Sequence, residues 1–237
     1  MTLVLGHRGA PRATIENTVK SMRIALAEGA DGAEFDVRLA RCGTLVVCHD
    51  HSLVRFTHRA TRVRDMSAWA LAQENLGDGE GVPTLDQVLA VLRRKTVNIE
   101  IKPDDGDLPA LARAVALTAQ KFRGQHKRVI VSSFSPEVLV MLRRLDPSIE
   151  RGLLIDPANR FYGSSLTLLR EVAPVAIHPH WSEGVDRIRF WRSSGYDVNV
   201  WTCDNPETIC AVARAGATSV ISNHPGDARR ALSAAGL

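Results

Sequence analysis

The sequence predicts an α/β fold, a single (β/α)8 TIM barrel that spans residues 1–237. Short apolar segments alternate with segments of helical periodicity along the whole chain, which is typical of a parallel sheet with crossover helices. Eight such repeats without a long linker favour a closed barrel over an open sheet. No glycine-rich phosphate loop of the Rossmann or Walker type appears, which disfavours a doubly wound fold.

Each predicted strand is a short apolar run, and helix signals separate one run from the next. Thr84 and Gln87 form a capping box, and a cap residue, a proline and an acid occur in order at 135–137 and 205–207. The stretch of about 51–82 is irregular and rich in charge and glycine, so we expect a short insertion after the second strand that serves as a functional loop or lid. The predicted strands are 3–6, 32–38, 97–102, 128–133, 150–155, 174–178, 197–202 and 218–222.

Composition excludes several classes of protein. The formal net charge is +4, but the chain has no basic stripe with interleaved aromatics, and only 5% of its residues are aromatic. No run approaches the roughly 18 apolar residues of a membrane span, and no signal peptide precedes the first strand. The four cysteines show neither a CxxC pair nor zinc-ligand spacing. We therefore expect reduced thiols in a soluble cytoplasmic protein, without a nucleic-acid partner or stable membrane insertion. The oligomeric state stays open.

Acidic side chains share the inward face of two predicted strands. Alternation places Glu34 and Asp36 on one face of their strand, and Glu100 takes the same position on the next strand. Because barrel active sites lie at the carboxyl ends of the strands, the three carboxylates are expected to converge there. All-oxygen ligation suits one divalent cation, Mg²⁺ or Ca²⁺, rather than zinc. The alternative without a metal is that Glu100 pairs with Lys102 or an arginine, and that Glu34 pairs with Arg38.

Two histidines directly follow short apolar runs. His7 and Arg8 follow the first strand, and His49 and Asp50 follow the apolar run 45–48. Histidine suits acid–base catalysis near neutral pH, and arginine binds phosphate through paired donors. For each histidine, a hydrogen-bonded structural role remains the alternative. The remaining histidines are assigned that structural role: His51, His58, His126, His178, His180 and His224.

A set of short motifs occurs in order along nearly the whole chain. They are His7-Arg8-Gly9-Ala10, Glu16-Asn17-Thr18, Gly29-Ala30-Asp31, Glu34-Phe35-Asp36-Val37, His49-Asp50, Leu53-x-Arg55-x-Thr57, Val82-Pro83-Thr84-Leu85, Asn98-Ile99-Glu100-Ile101-Lys102, Ser132-Ser133-Phe134 and Val200-Trp201-Thr202. No single motif is decisive, but the ordered set is highly specific. Through it the chain resembles the glycerophosphodiester phosphodiesterase family.

The resemblance implies a hydrolase that cleaves glycerophosphodiesters to glycerol 3-phosphate and an alcohol, with one divalent cation, Mg²⁺ or Ca²⁺. It implies His7 as the base and His49 as the acid. The other implied residues are a metal set of Glu34, Asp36 and Glu100, phosphate-binding Arg8 and Lys102, and the aromatic residues Phe134 and Trp201 beside the organic part of the substrate.

Two other functions are kept as alternatives. A lysophospholipase D-type enzyme would be expected to have an apolar trough or entry loop, for which Trp69-Ala70-Leu71 offers little. A non-catalytic barrel that binds phosphorylated metabolites would be expected to lack a histidine or a ligand carboxylate, whereas all of them are present here.

Two features receive no firm role. Many relatives carry an aspartate near the last strand, where this chain has Asn223, and an asparagine keeps hydrogen bonds but not charge. Because this difference in charge leaves a direct polar role in doubt, we assign Asn223 no role. An arginine cluster after His49 either forms a solvated face or draws anionic substrates to the mouth of the barrel. Its members are Arg55, Arg59, Arg62 and Arg64.

Overall fold

The computed structural model describes residues 1–58, 60–103, 106–157 and 166–237. Its strands are β1 (Leu3–His7), β2 (Gly32–Leu39), β3 (Leu45–Val47), β4 (Thr96–Ile101), β5 (Arg128–Ser133), β6 (Glu150–Ile155), β7 (Ala176–Pro179), β8 (Asp197–Val200) and β9 (Ser219–Ser222). Its α-helices are α1 (Val19–Ala27), α2 (Val54–Thr57), α3 (Ala68–Gln73), α4 (Leu85–Val91), α5 (Leu108–Lys121), α6 (Pro136–Leu145), α7 (Leu166–Val172), α8 (Val185–Ser193), α9 (Pro206–Arg214) and α10 (Pro225–Ala234).

Eight parallel strands among these residues close into a barrel, with helices between successive strands on the outside. Strand β1 pairs with both β2 and β9, so the first and last strands of the chain close the ring. The predicted TIM barrel is confirmed, and the eight predicted strands agree with the observed ones to within two residues at each end. The short strand β3 lies outside the ring and pairs antiparallel with β2. Three apolar residues are too few for periodicity to mark such a strand.

Alternation along the strands separates two environments. Phe35 and Val37 on β2 are fully buried between the sheet and the helices, as are Ile99 and Ile101 on β4. Full burial of such a side chain contributes about 1.5–3 kcal/mol, so this apolar layer stabilises the sheet strongly. The intervening side chains of both strands point into the barrel, where they can face one another.

The insertion after the second strand has its own local order. It contains α2 and α3 joined by a 3-10 turn at Val63–Asp65. Leu53, Val63 and Leu71 are fully buried in a second apolar cluster that includes Val46 of β3. The segment is therefore anchored on β3, which holds the adjacent loop of His49 in place.

The described helices begin where the capping signals predict. Thr84 and Gln87 make both hydrogen bonds of the capping box, and Ser135 and Asn205 cap α6 and α9. The four cysteines are free thiols, as predicted. Across the described ranges, no helix combines the length and the apolar character that a membrane crossing requires. The cytoplasmic location stays a prediction.

Candidate active site

Three carboxylates meet inside the barrel near the carboxyl ends of β2 and β4. The strand register places Asp36 beside Glu100, and Glu34 precedes Asp36 on the same inward face. One oxygen from each carboxylate lies within 4.8 Å of the others, and all three side chains are buried. Neighbouring parallel strands bring these residues together because alternate side chains share one face.

Two cationic side chains contact this cluster. Lys102, which follows β4, lies 3.2 Å from Asp36 Oδ1 and forms an ion pair with Glu100. Arg8 Nε lies 3.3 Å from Asp36 Oδ2. Although these distances are those of ion pairs, Asp36 Oδ1 and Glu100 Oε1 receive no hydrogen bond of good geometry from the described residues. The pairing of Glu100 with Lys102, one of the alternatives left open by the sequence, is thus present beside the acidic cluster.

The pKa values of the three carboxyl groups diverge. Burial and the charges of Asp36 and Glu100 raise the pKa of Glu34 well above its ordinary value. Burial and the charge of Asp36 raise the pKa of Glu100 to about 7. Burial also opposes ionisation of Asp36, but Lys102 and Arg8 outweigh it and hold the pKa of Asp36 at about 2. The cluster therefore contains more acid than the neighbouring cations neutralise.

The donor set fits a hard divalent cation. Glu34 Oε1 is buried and accepts no hydrogen bond from the part of the chain that the structure describes. A buried carboxylate oxygen without a partner is costly, and a cation held by all three side chains would remove that cost. Three carboxylates without a thiolate among them suit Mg²⁺ or Ca²⁺.

The loop after β1 turns sharply so that its residues reach the cluster. Arg8 has φ +54° and Gly9 has φ +88°. A Cβ at Gly9 would lie 2.3 Å from Ser21 Oγ, so only glycine fits this turn. Asn17, also left-handed at φ +58°, donates from Nδ2 to Asp36 Oδ2 at 2.8 Å. The backbone hydrogen bond from Asn17 N to Arg8 O, 2.9 Å, holds these two strained residues together.

His49 is fixed at the rim of the site by hydrogen bonds at both its backbone and its ring. Arg38, the alternative partner of Glu34 in the sequence, instead donates Nε and Nη2 to the His49 carbonyl at 2.9 and 2.6 Å. Asp50 Oδ1 lies 2.7 Å from His49 Nδ1, and Asp50 Oδ2 accepts from Arg55 Nε at 2.8 Å. The Asp50 carboxylate therefore orients the imidazole and leaves Nε2 available to a ligand.

Glu16 connects the two loops that carry the basic residues of the site. Glu16 Oε1 accepts from Arg8 Nη1 at 2.9 Å and from Arg55 Nη2 at 2.6 Å. Arg55 of the predicted arginine cluster is thus paired with two acids, Glu16 and Asp50. Burial, with the charge of Arg8, lowers the pKa of His49. Arg59 of the cluster lies outside the described residues.

His7 ends β1 and faces the same cavity. His7 Nε2 lies 3.9 Å from Glu34 Oε2, and His7 Nδ1 lies 2.7 Å from Asn223 Oδ1. Burial and the charge of Arg8 lower the pKa of His7. Both histidines therefore favour the neutral form in the free protein.

The cavity has a polar side and an apolar side. Its volume is about 200 Å³. The rings of Phe134 and Trp201 meet edge to face at 5.4 Å, and Lys102 Nζ lies 5.7 Å from the centre of the Phe134 ring. The lining residues are His7, Arg8, Glu34, His49, Asn98, Glu100, Lys102, Phe134, Leu154, Trp201, Thr202 and Ile221. The structure thus brings eight of the nine predicted site residues to one cavity, and the ninth, Asp36, contacts Arg8 and Lys102 beside it. Their catalytic roles stay predictions.

Three polar residues of the site were named in the sequence analysis but given no role there: Glu16, Asn17 and Asn223. The first two belong to a recognised motif but follow no strand, so alternation could not place them. Asn223 directly follows β9, and this is the signal by which His7 was found. Position at the carboxyl end of the last strand could therefore have identified it.

Comparisons with known proteins show which family and which solved structures the chain is similar to. The model of the glycerophosphoryl diester phosphodiesterase family matches residues 7–227. A glycerophosphodiester phosphodiesterase from Caldanaerobacter subterraneus subsp. tengcongensis is 28% identical over 94% of this chain and 95% of its own length. The crystal structure of the enzyme of that name from Thermotoga maritima is 30% identical, with a TM-score of 0.80 over 97% of this chain and 98% of that chain. An Oleispira antarctica phosphodiesterase, solved with the product sn-glycerol 3-phosphate, shares the fold with a TM-score of 0.86 at 23% identity, over 98% of this chain and 97% of that chain.

Proposed function

Since the chain belongs to the glycerophosphoryl diester phosphodiesterase family, we propose that it hydrolyses glycerophosphodiesters to glycerol 3-phosphate and a free alcohol. The observation that carries the proposal is one cavity in which buried carboxylates, two histidines and two cationic side chains face one another. Cleavage of a phosphodiester requires positive charge at the phosphate and a proton for the departing alkoxide. The cavity contains groups suited to both tasks.

Glu34, Asp36 and Glu100 would hold one divalent cation, Mg²⁺ or Ca²⁺. When bound, the cation supplies electrostatic stabilisation of the charge that develops on a non-bridging phosphate oxygen. Arg8 and Lys102 supply further positive charge for the phosphate. Their ion pairs with Asp36 hold both side chains in place before substrate binds, which lowers the cost of reorganisation.

The two histidines differ in the charge of their neighbours, and this difference supports separate roles. His49 Nδ1 faces the carboxylate of Asp50, which favours the imidazolium that a general acid must be before it donates its proton. His7 Nδ1 faces the neutral amide of Asn223. In our proposal His7 takes a proton from the attacking hydroxyl, and His49 gives a proton to the departing alkoxide. The attacking hydroxyl is that of water or the 2-hydroxyl of the glycerol group; in the second case a cyclic phosphate forms, and water then opens it to glycerol 3-phosphate.

Phe134 and Trp201 would contact the organic part of the substrate. The cavity of about 200 Å³ is smaller than the roughly 300–1,000 Å³ of typical pockets for drug-sized ligands, which favours a small diester over one with an acyl chain. Trp69, the aromatic residue of the possible entry segment, is 75% exposed and does not line this cavity. The lysophospholipid alternative therefore receives no support from the described residues.

Hydrolysis of a panel of glycerophosphodiesters and lysophospholipids, with and without chelator, tests the proposed function. We expect turnover of glycerophosphodiesters that chelation abolishes and that Mg²⁺ or Ca²⁺ restores. Glu34→Gln keeps the shape but removes a ligand charge, so calorimetric titration should show metal affinity at least about 10-fold weaker. Glu207→Gln, on the exposed surface of α9, is the matched control. Full activity in excess chelator would overturn the metal site, and turnover of lysophospholipids alone would favour the alternative.

The role of His49 can be tested with two leaving groups. An alkoxide needs a proton to depart, whereas 4-nitrophenolate does not, so removal of the acid should affect only the first substrate. We expect His49→Ala to lower kcat by about 10²–10⁴-fold for glycerophosphocholine but by less than about 10-fold for the 4-nitrophenyl diester. His7→Ala should lower kcat for both substrates, and His51→Ala, an exposed neighbour, should change neither. Equal losses for both substrates in His49→Ala would contradict the assignment.

A further inference from the structure

Asn223 contacts His7 because of the way in which the barrel closes. Strands β1 and β9 run in parallel, and Gly6 lies beside Ser222. The residues that follow this pair, His7 and Asn223, therefore emerge next to each other at the carboxyl end of the barrel. His7 Nδ1 lies 2.7 Å from Asn223 Oδ1, and both side chains are shielded from most solvent.

Asp204 determines which end of the Asn223 amide faces His7. Asn223 Nδ2 donates to Asp204 Oδ2 at 2.7 Å. An ionised carboxylate can only accept hydrogen bonds, so the amide must turn its NH₂ group toward Asp204 and its oxygen toward His7. The amide oxygen is in turn only an acceptor, so His7 Nδ1 must carry the proton and donate it.

The carboxylate of Asp204 is itself fixed in orientation. Asp204 Oδ1 accepts from Asn223 N at 2.8 Å and from Ser222 Oγ at 3.0 Å. Both of its oxygens are thus occupied by the last residue of β9 and the residue that follows it, which leaves the carboxylate little freedom to rotate. Asp204 lies in the loop between β8 and α9, so three neighbouring elements of the barrel contribute to one hydrogen-bonded chain.

We infer that Asp204 and Asn223 are positioning residues that hold neutral His7 as the tautomer protonated at Nδ1. A neutral imidazole carries one N–H, so this tautomer presents the lone pair of Nε2 to the cavity. Only that arrangement lets His7 accept a proton from a hydroxyl in the cavity. The inference rests on the proposed function for its catalytic consequence, but the tautomer is a property of the protein that can be measured without substrate.

The first test is a spectroscopic one. Protein labelled with ¹⁵N in histidine is recorded at pH 8 with saturating Mg²⁺, and the two ring nitrogens of His7 are assigned by long-range ¹H–¹⁵N correlation. The wild-type protein should show protonated Nδ1 and unprotonated Nε2. Asn223→Leu removes the acceptor at similar volume, so the spectrum should move toward protonated Nε2. Asp204→Asn frees the Asn223 amide to rotate, and a mixture of both tautomers is expected.

The second test asks whether the tautomer matters for turnover. Asn223→Leu and Asp204→Asn should lower kcat by about 10- to 100-fold and leave KM within about twofold, because substrate contacts are retained. Glu207→Gln, an acid-to-amide change on the exposed surface of α9, is the matched control: it leaves every hydrogen bond of Asp204 and Asn223 in place, so both tautomer and kcat should stay close to wild type. Tm is measured for all variants to show that each one folds. If Asn223→Leu does not fold, the tautomer and kcat of Asp204→Asn decide the test.

Two results would overturn the inference. His7 could keep its Nδ1 proton in both variants, or the tautomer could change while kcat does not. Failure of the proposed function is distinguishable, because a protein that cleaves no glycerophosphodiester would still give the tautomer spectrum.

Discussion

At the scale of single residues, the direction of a side chain does not determine its chemistry. Glu34 and Asp36 share one strand and one face, yet their pKa values move in opposite directions. Asp36 is contacted by Lys102 and Arg8 and accepts a hydrogen bond from Asn17, whereas Glu34 lies close to the negative charges of Asp36 and Glu100. Neighbouring charges and hydrogen bonds, rather than strand position, decide which carboxyl group ionises.

His178 on β7 is the clearest case of a residue whose protonation depends on its surroundings. It is fully buried, and Nε2 lies 2.9 Å from Asn199 Nδ2. Because Asn199 Nδ2 is a hydrogen-bond donor, this contact disfavours a proton on Nε2. Burial, with the charge of Arg128, lowers the pKa of His178 to about 3. A Cβ at Gly152 would lie 2.4 Å from His178 Nε2, so the neighbouring strand leaves space only for glycine there.

This burial predicts a pH dependence of stability. In the unfolded chain His178 becomes protonated below about pH 6.5. In the folded protein it stays neutral until the pH approaches 3, because its pKa is lowered to that value. Stability is therefore fully present above pH 6.5 and is lost progressively as the pH falls. His178 alone should lower the free energy of unfolding by about 2 kcal/mol between pH 7.5 and pH 5. Urea unfolding at several pH values measures this difference.

His178→Gln should show a correspondingly shallower pH dependence, whatever its stability at pH 7.5. His51→Gln, which changes an exposed histidine, should keep the wild-type slope. Equal slopes for wild type and His178→Gln would show that this residue is not the source of the acid sensitivity.

At the scale of elements, the barrel strands were predictable because each is a buried apolar run bounded by capping signals. Strand β3 was not, since three residues show no period, and neither was the local order of α2 and α3. The carboxylates and histidines of the site were found by alternation and by position at strand ends. Asn17 was not assigned a role, because a left-handed residue that donates to Asp36 across the loop leaves no periodic signal.

At the scale of the whole molecule, closure of the barrel is what assembles the site. The pairing of β1 with β9 places Asn223 beside His7, although they are 216 residues apart in the sequence. The sheet that forms the site therefore extends over almost the full length of the chain. The organisation of residues 1–237 as one domain stays a prediction.

The arginine cluster would act on the whole molecule through the electrostatic field at the mouth of the barrel. Arg55 is paired with Glu16 and Asp50, so it is left unchanged. The other three members are replaced together: Arg59→Gln, Arg62→Gln and Arg64→Gln. If they draw anionic diesters to the mouth, kcat/KM at about 10 mM ionic strength should fall by about 3- to 10-fold, while kcat stays unchanged.

Salt separates this effect from a change in the site itself. The Debye length shrinks from about 30 Å at 0.01 M to about 3 Å at 1 M, so the two proteins should converge in kcat/KM at high salt. The control changes the same net charge at exposed arginines near the C-terminal ends of helices, on the face of the barrel opposite the site. It combines Arg93→Gln, Arg170→Gln and Arg214→Gln. If the cluster variant and the control variant show the same salt dependence of kcat/KM, the effect comes from net charge and not from the position of the cluster. If the cluster variant shows the same salt dependence as wild type, the cluster is only a solvated face. Steering requires that only the first variant departs from wild type, and only at low salt.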